Sequence, residues 1–149
     1  MPRFEIREHL DVYAPRREIR KFATELGFRH DVGVELAIVV SELASNVVKY
    51  GVEGCIQFDG LSDAQHGRGI EIAATDVGPP FHDLELALRD GYNDRGPIDP
   101  GSMLRRGGLG TGLGAVTRLT DSFSVEYSSG GKTIRVRRYL RRPPAPRSL

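Results

Sequence analysis

The sequence predicts an α/β two-layer sandwich, a mixed but mostly antiparallel sheet with helices on one face. Three observations predict it. Alternating apolar segments come in pairs joined by short polar, glycine-containing connections, as hairpins do. Two helical segments follow the first strand before that pairing begins, so the strict strand–helix alternation of a doubly wound parallel fold is missing. With 149 residues the chain suits one domain, and a domain of this size buries roughly two-thirds of its unfolded-chain surface. Residues 1–140 are read as that domain.

Phe4, Ile6, Glu8 and Leu10 share one face of an alternating segment, which reads as the first strand. A helix is expected over Arg16 to Leu26, with Pro15 near its start, Gly27 closing it, and Ile19, Phe22, Ala23 and Leu26 as its apolar positions. Asp31 reads as the N-cap of a second helix from Val32 to Tyr50 that stops at Gly51. Its buried stripe is Leu36, Val40, Leu43 and Val47. Cys55 to Gly60 and Gly69 to Asp76 read as a hairpin joined through Ser62 to Arg68. Phe81 to Asp90 suggests a short helix. Gly91 to Gly108, with five glycines and two prolines, resists regular assignment and reads as a functional lid or a disordered segment. A helix over Leu109 to Leu119 follows, and then a closing hairpin marked by Phe123, Val125 and Tyr127 and by Ile134 and Val136. The tail from Arg141 to Leu149, with Pro143, Pro144 and Pro146, cannot be helical and is expected to be disordered.

Composition narrows the function classes. Twenty-one basic side chains against twenty acidic ones leave a net charge of +1, so no overall field argues for nucleic acid or an anionic membrane. Arg135, Arg137, Arg138, Arg141 and Arg142 form a basic run. Without an aromatic stacking platform beside it, a solvated strand edge accounts for that run better than a nucleic-acid surface does. The single cysteine, Cys55, allows no internal disulfide and fits a reducing compartment. Neither a signal peptide nor a membrane span is expected, and the expected location is the cytoplasm.

The chemistry concentrates in three places. Glu42, Asn46 and Lys49 follow i, i+4, i+7 spacing on the second helix and share one narrow polar stripe. That stripe lies roughly 90° from the apolar one, at the border of the core. Asp76 shares its strand face with Ile70, Ile72 and Ala74. An acid in an apolar row needs hydrogen-bond donors, and an exocyclic adenine amine is one. Gly78 would let a base approach closely, while an ordinary Asp-X-Gly turn is the plainer reading. Gly107, Gly108, Gly110, Gly112 and Gly114 can turn successive amides toward phosphate at a helix start. Gly130-Gly131-Lys132-Thr133 mimics the end of a P-loop, but Glu126 stands where its first glycine is required. Gly110-Thr111-Gly112-Leu113-Gly114-Ala115 matches a dinucleotide fingerprint in letters only, because no preceding strand and no parallel βαβ unit surround it.

In order, Glu42-Leu43-Ala44-Ser45-Asn46, Asp76-Val77-Gly78 and Gly108-Leu109-Gly110-Thr111-Gly112-Leu113 resemble the N box and the two glycine boxes of the GHKL (Bergerat-fold) ATPases. Ser41-Glu42-Leu43-Ala44, Asp90-Gly91-Tyr92 and Gly114-Ala115-Val116-Thr117-Arg118-Leu119 are most similar to the anti-sigma factors and switch serine/threonine protein kinases of bacterial partner-switching systems. The resemblance implies that Asn46 ligates Mg²⁺, that Glu42 is the catalytic base, and that Asp76 binds the adenine of ATP. It also implies that Gly78, Gly108, Leu109, Gly110, Thr111, Gly112, Leu113, Gly114 and Thr133 border the nucleotide and that Lys49 neutralises phosphate. The implied activity is ATP- and Mg²⁺-dependent phosphorylation of a small antagonist or scaffold protein on Ser or Thr. A sigma factor or downstream phosphatase would be a second partner, and a homodimer is left open. Pro80 stands where the family's first glycine box has its second glycine, and the segment between Asp90 and Gly107 is long for a minimal switch kinase. The alternative is therefore a catalytically weak, nucleotide-gated binding module.

Overall fold

A computed structural model describes residues 2–50, 52–81, 84–88, 92–93, 96–97 and 112–141. Strand β1 (Arg3–Ile6) leads through a 3-10 turn (His9–Val12) into helices α1 (Tyr13–Leu26) and α2 (His30–Tyr50). The hairpin β2 (Gly54–Asp63) and β3 (Gly67–Asp76) follows, then a single turn α3 (Leu84–Ala87) and two-residue strands β4 (Tyr92–Asn93) and β5 (Gly96–Pro97). Helix α4 (Leu113–Arg118) and the hairpin β6 (Ser122–Ser128) and β7 (Gly131–Tyr139) complete the described chain. The main sheet has the order β1-β2-β3-β7-β6, and every pairing in it is antiparallel.

Strand alternation divides the sheet into two faces. Ile56, Phe58, Ile70, Ile72, Ala74, Ile134 and Val136 point into one core with Ile19 and Ala23 of α1 and Leu36, Val40, Leu43 and Val47 of α2. The opposite face carries Gln57, Glu71, Thr75, Thr133, Arg135 and Arg137. Phe58 anchors the core centre, with Phe4 stacked at 5.7 Å and Phe22 edge-on at 5.2 Å between ring centroids.

Several boundaries differ from expectation for local reasons. The first strand ends at Ile6 because the Asp11 carboxylate accepts the Arg7 and Glu8 backbone N–H groups at 2.9 and 3.1 Å, turning the chain. Leu10 consequently stands 71% exposed instead of extending the strand face. Helix α1 starts at Tyr13, which places Pro15 in its first turn, and Gly27 closes it in a left-handed conformation. Helix α2 starts at His30, so Asp31 sits in its first turn and not at the N-cap; its carboxylate pairs with the Arg29 guanidinium. The β2–β3 ladder runs through Ser62 and Arg68, which were expected to connect it. Asp63 makes that extension possible by accepting the Gln65 and His66 N–H groups at 2.7 and 3.2 Å, which closes the turn.

Strand β7 lies between β3 and β6, which corrects the reading of its arginines as a strand edge. Arg135 and Arg137 both pair with Glu71 on β3, at 2.9 and 2.8 Å. Arg138, on the core side, pairs with Glu35 of α2 at 2.8 Å and donates to the Leu119 carbonyl at 2.9 Å. These pairs hold the sheet and α2 together. Inside the expected lid, Tyr92 pairs with Pro97 and Asn93 with Gly96. The helix stop at Gly51 and residues 142–149 of the expected tail lie outside the described residues.

Candidate active site

Four element ends meet at one end of the sheet. Helix α2 runs down toward Gly54, the first residue of β2, and Gly54 pairs with Asp76, the last residue of β3. Asp76 in turn pairs with Lys132 near the start of β7. Two glycines permit this convergence. A Cβ on Gly54 would overlap the Thr75 carbonyl, and one on Gly131 would overlap the Asp76 carbonyl, so only glycine lets β2 and β7 close on the end of β3.

On α2, Glu42 and Asn46 are 4% and 6% exposed, which is deeper than a border position. Residues 42–47 are all buried, because α4 packs against α2 as well as the sheet does. The Asn46 side-chain Nδ2 is buried with no hydrogen-bond partner among the described residues. Such a group costs free energy until a ligand satisfies it. Lys49, the third member of the stripe, is exposed, so the structure separates it in depth from the other two.

Asp76 is both a buried acid and a turn former. Its Oδ1 accepts the Gly78 N–H at 2.8 Å and the Lys132 Nζ at 2.9 Å. The Asp76 and Lys132 side chains are 2% and 1% exposed. Lys132 Nζ also donates to the Pro79 carbonyl at 2.9 Å and lies 5.1 Å from the Phe81 ring centroid, within cation–π reach. The segment after β3 is therefore tied to β7 through one ammonium group.

Thr133 requires a correction. Successive strand residues face opposite ways, and Thr133 bonds Thr75 at 3.0 Å on the polar face, away from Asp76. Lys132 holds the inward position instead. Sequence reasoning passed over Lys132, yet strand parity could have found it. Lys132, Ile134 and Val136 alternate onto the core face, so a lysine there needs a buried partner.

Of the second glycine box, Gly108, Leu109, Gly110 and Thr111 lie outside the described residues. Gly112 caps α4 with φ 83° and ψ −147°, a conformation open to glycine alone. Leu113 and Gly114 are buried in the first turn of α4. Among the described residues no cluster of three or more His, Cys, Asp or Glu side chains is placed to hold a metal. The donor set still fits Mg²⁺, which takes one or two protein oxygens and completes its shell with phosphate and water. The Asn46 amide oxygen would be the protein's contribution.

Residues 8–138 of the chain match the model of the histidine kinase-like ATPase domain. The chain belongs to that family. The ATPase domain is also similar to the serine/threonine-protein kinase RsbT of Bacillus subtilis, at 33% identity over 132 residues, covering 88% of this chain and 90% of RsbT. Its fold resembles the crystal structure of the RsbU and RsbW domains of Rv1364c from Mycobacterium tuberculosis, with a TM-score of 0.58 and 16% identity. That likeness covers 96% of this chain and 34% of the other, so the ATPase domain spans about a third of that longer crystallised chain. Among the described residues no helix is long and apolar enough to cross a membrane.

Proposed function

We propose that this ATPase domain is an ATP- and Mg²⁺-dependent serine/threonine protein kinase, working as a regulatory switch by phosphorylating a small protein partner. The observation that carries the reading is the buried Asn46 side chain, one helical turn from the buried carboxylate of Glu42, whose Nδ2 donor has no acceptor among the described residues and could meet a phosphate oxygen. The similarity to RsbT supports the choice of a protein hydroxyl as acceptor. When bound, ATP supplies the γ-phosphoryl group and Mg²⁺ neutralises its charge.

Each residue then has a defined task. Asn46 holds the metal through its amide oxygen. Glu42, on the same helix face, accepts the proton of the attacking Ser or Thr hydroxyl, and its burial keeps bulk water from competing for that proton. Asp76 receives the base, with Gly78 allowing its approach, while Gly112 and Gly114 with their glycine-box neighbours border the phosphates. Lys49 contributes positive charge at the exposed end of the stripe. Phosphoryl transfer depends mainly on positioning and charge stabilisation, so a set this small is sufficient.

Calorimetry with ATP and Mg²⁺ tests binding. Wild-type protein is expected to bind and Asn46→Ala to bind more weakly; no heat with folded wild type would sink the reading. Phosphotransfer to a co-purified partner tests catalysis, and equal labelling by Glu42→Ala would remove Glu42 as the base. A second reading, a nucleotide-gated binding module with little turnover, is favoured by the Lys132–Asp76 pair, which engages the base-binding carboxylate internally.

A further inference from the structure

A carboxylate waiting for a base amine is expected to stand open to water, where the incoming donor replaces solvent. Asp76 does not. Its side chain is 2% exposed, and Oδ1 already accepts both the Gly78 N–H and the Lys132 ammonium. Lys132 in turn is held by the Pro79 carbonyl and the Phe81 ring. Gly131 presses the β7 backbone against the Asp76 carbonyl, which keeps Lys132 in register with its partner.

We propose that Lys132 sets the base selectivity of the nucleotide site, occupying with its ammonium the place at Asp76 that a base's exocyclic amine would take. The site then selects nucleoside triphosphates by their phosphates and metal and tolerates changes at the 6-position of the purine. The inference rests on the nucleotide-binding reading above. Lys132 acts through Asp76 by neutralising the carboxylate, and a 6-amino group that bonds it, through Oδ2 or by displacing Nζ, gains only what a neutral hydrogen bond gives. A neutral bond is worth up to about tenfold in affinity, and one to an unpaired charge about ten- to a hundredfold.

The test compares ATP with purine riboside 5′-triphosphate, which lacks the 6-amino group, by calorimetry with Mg²⁺. Wild-type protein is expected to prefer ATP by less than about tenfold. In Lys132→Met the preference is expected to rise above about tenfold, with ATP itself binding more tightly. A lysine with a merely structural role would leave the ratio unmoved. The proposal is overturned if wild type already prefers ATP by more than about tenfold, or if Lys132→Met weakens ATP binding without raising the ratio. The wild-type ratio decides the matter even where the variant fails to fold. If folded wild type binds neither nucleotide, the nucleotide reading falls and takes this inference with it, whereas tight, ATP-selective binding overturns the inference alone.

Discussion

Replacing Lys132 by Met removes one partner of an ion pair whose side chains are 1% and 2% exposed. At that depth solvent screening gives no relief, and breaking a buried pair from one side costs about 3–5 kcal/mol. Met keeps the apolar stem beside Phe81 but loses the donation to Pro79, which adds about 1 kcal/mol. The Gly78 N–H remains on Asp76 and limits the loss. The expected sum is about 4 kcal/mol, a Tm drop on the order of 10 °C for a domain of this size. Chemical denaturation followed by far-ultraviolet circular dichroism measures it. The double variant Lys132→Met/Asp76→Leu removes the stranded carboxylate and is expected to recover about 2 kcal/mol or more, the coupling seen between contacting residues. A loss below about 1 kcal/mol in the single variant, or strictly additive changes in the double, would refute the claim that the pair is buried and mutually dependent.

Gly131→Ala places a methyl group against the Asp76 carbonyl and is expected to cost about 1–3 kcal/mol as β3 and β7 are pushed apart, read by the same denaturation assay. Phe58→Ala removes the ring that Phe4 and Phe22 pack against; about 3–5 kcal/mol is expected, and a loss under about 1 kcal/mol would place Phe58 outside the core. Asp63 is held at about 2 against an ordinary 3.8, first by the Gln65 backbone N–H and then by the His66 side chain. Its contribution to stability is therefore fully present above 3.8 and is lost as pH falls through about 2. Acid unfolding of Asp63→Asn should lose this part of the pH dependence, and a slope identical to wild type in that window would count against it.

The fold was legible wherever local chemistry decides structure. Pro15 and Gly27 bracket α1 because a proline needs no N–H donor in a first turn and a left-handed closing residue favours glycine. The inward row Ile70, Ile72, Ala74 and Asp76 placed the acid at a strand end on the core face before any partner was known. Boundaries failed where one side chain redirects the backbone, as Asp11 does after β1 and Asp63 does between β2 and β3. The shared face of Glu42 and Asn46 on α2 was legible through helical geometry alone. The candidate site was misread at β7, because Gly130-Gly131 invites comparison with phosphate loops while the decisive property is parity. A shift of one residue exchanges Thr133 for Lys132 at Asp76, and motif letters do not record which face a residue takes.

The two ends of the candidate site rest on different supports, and this has a functional consequence. Glu42 and Asn46 are separated by four residues of one helix, about 6 Å of rise, and that spacing survives any change that leaves α2 folded. Asp76 depends on three strands meeting in register, on two glycines that permit the meeting, and on Lys132. In the proposed kinase, base recognition would therefore be adjustable through the sheet, while the proposed proton acceptor Glu42 and metal-binding amide Asn46 would be fixed by the helix. Changes at Lys132 should read mainly in nucleotide affinity and Glu42→Gln mainly in turnover. Glu42→Gln keeps the size of the side chain and removes its capacity to take a proton, so nucleotide affinity should hold while phosphotransfer falls by about a hundredfold or more. A Glu42→Gln protein that lost nucleotide binding in proportion to its activity would show instead that the carboxylate holds the nucleotide and does not serve as the base.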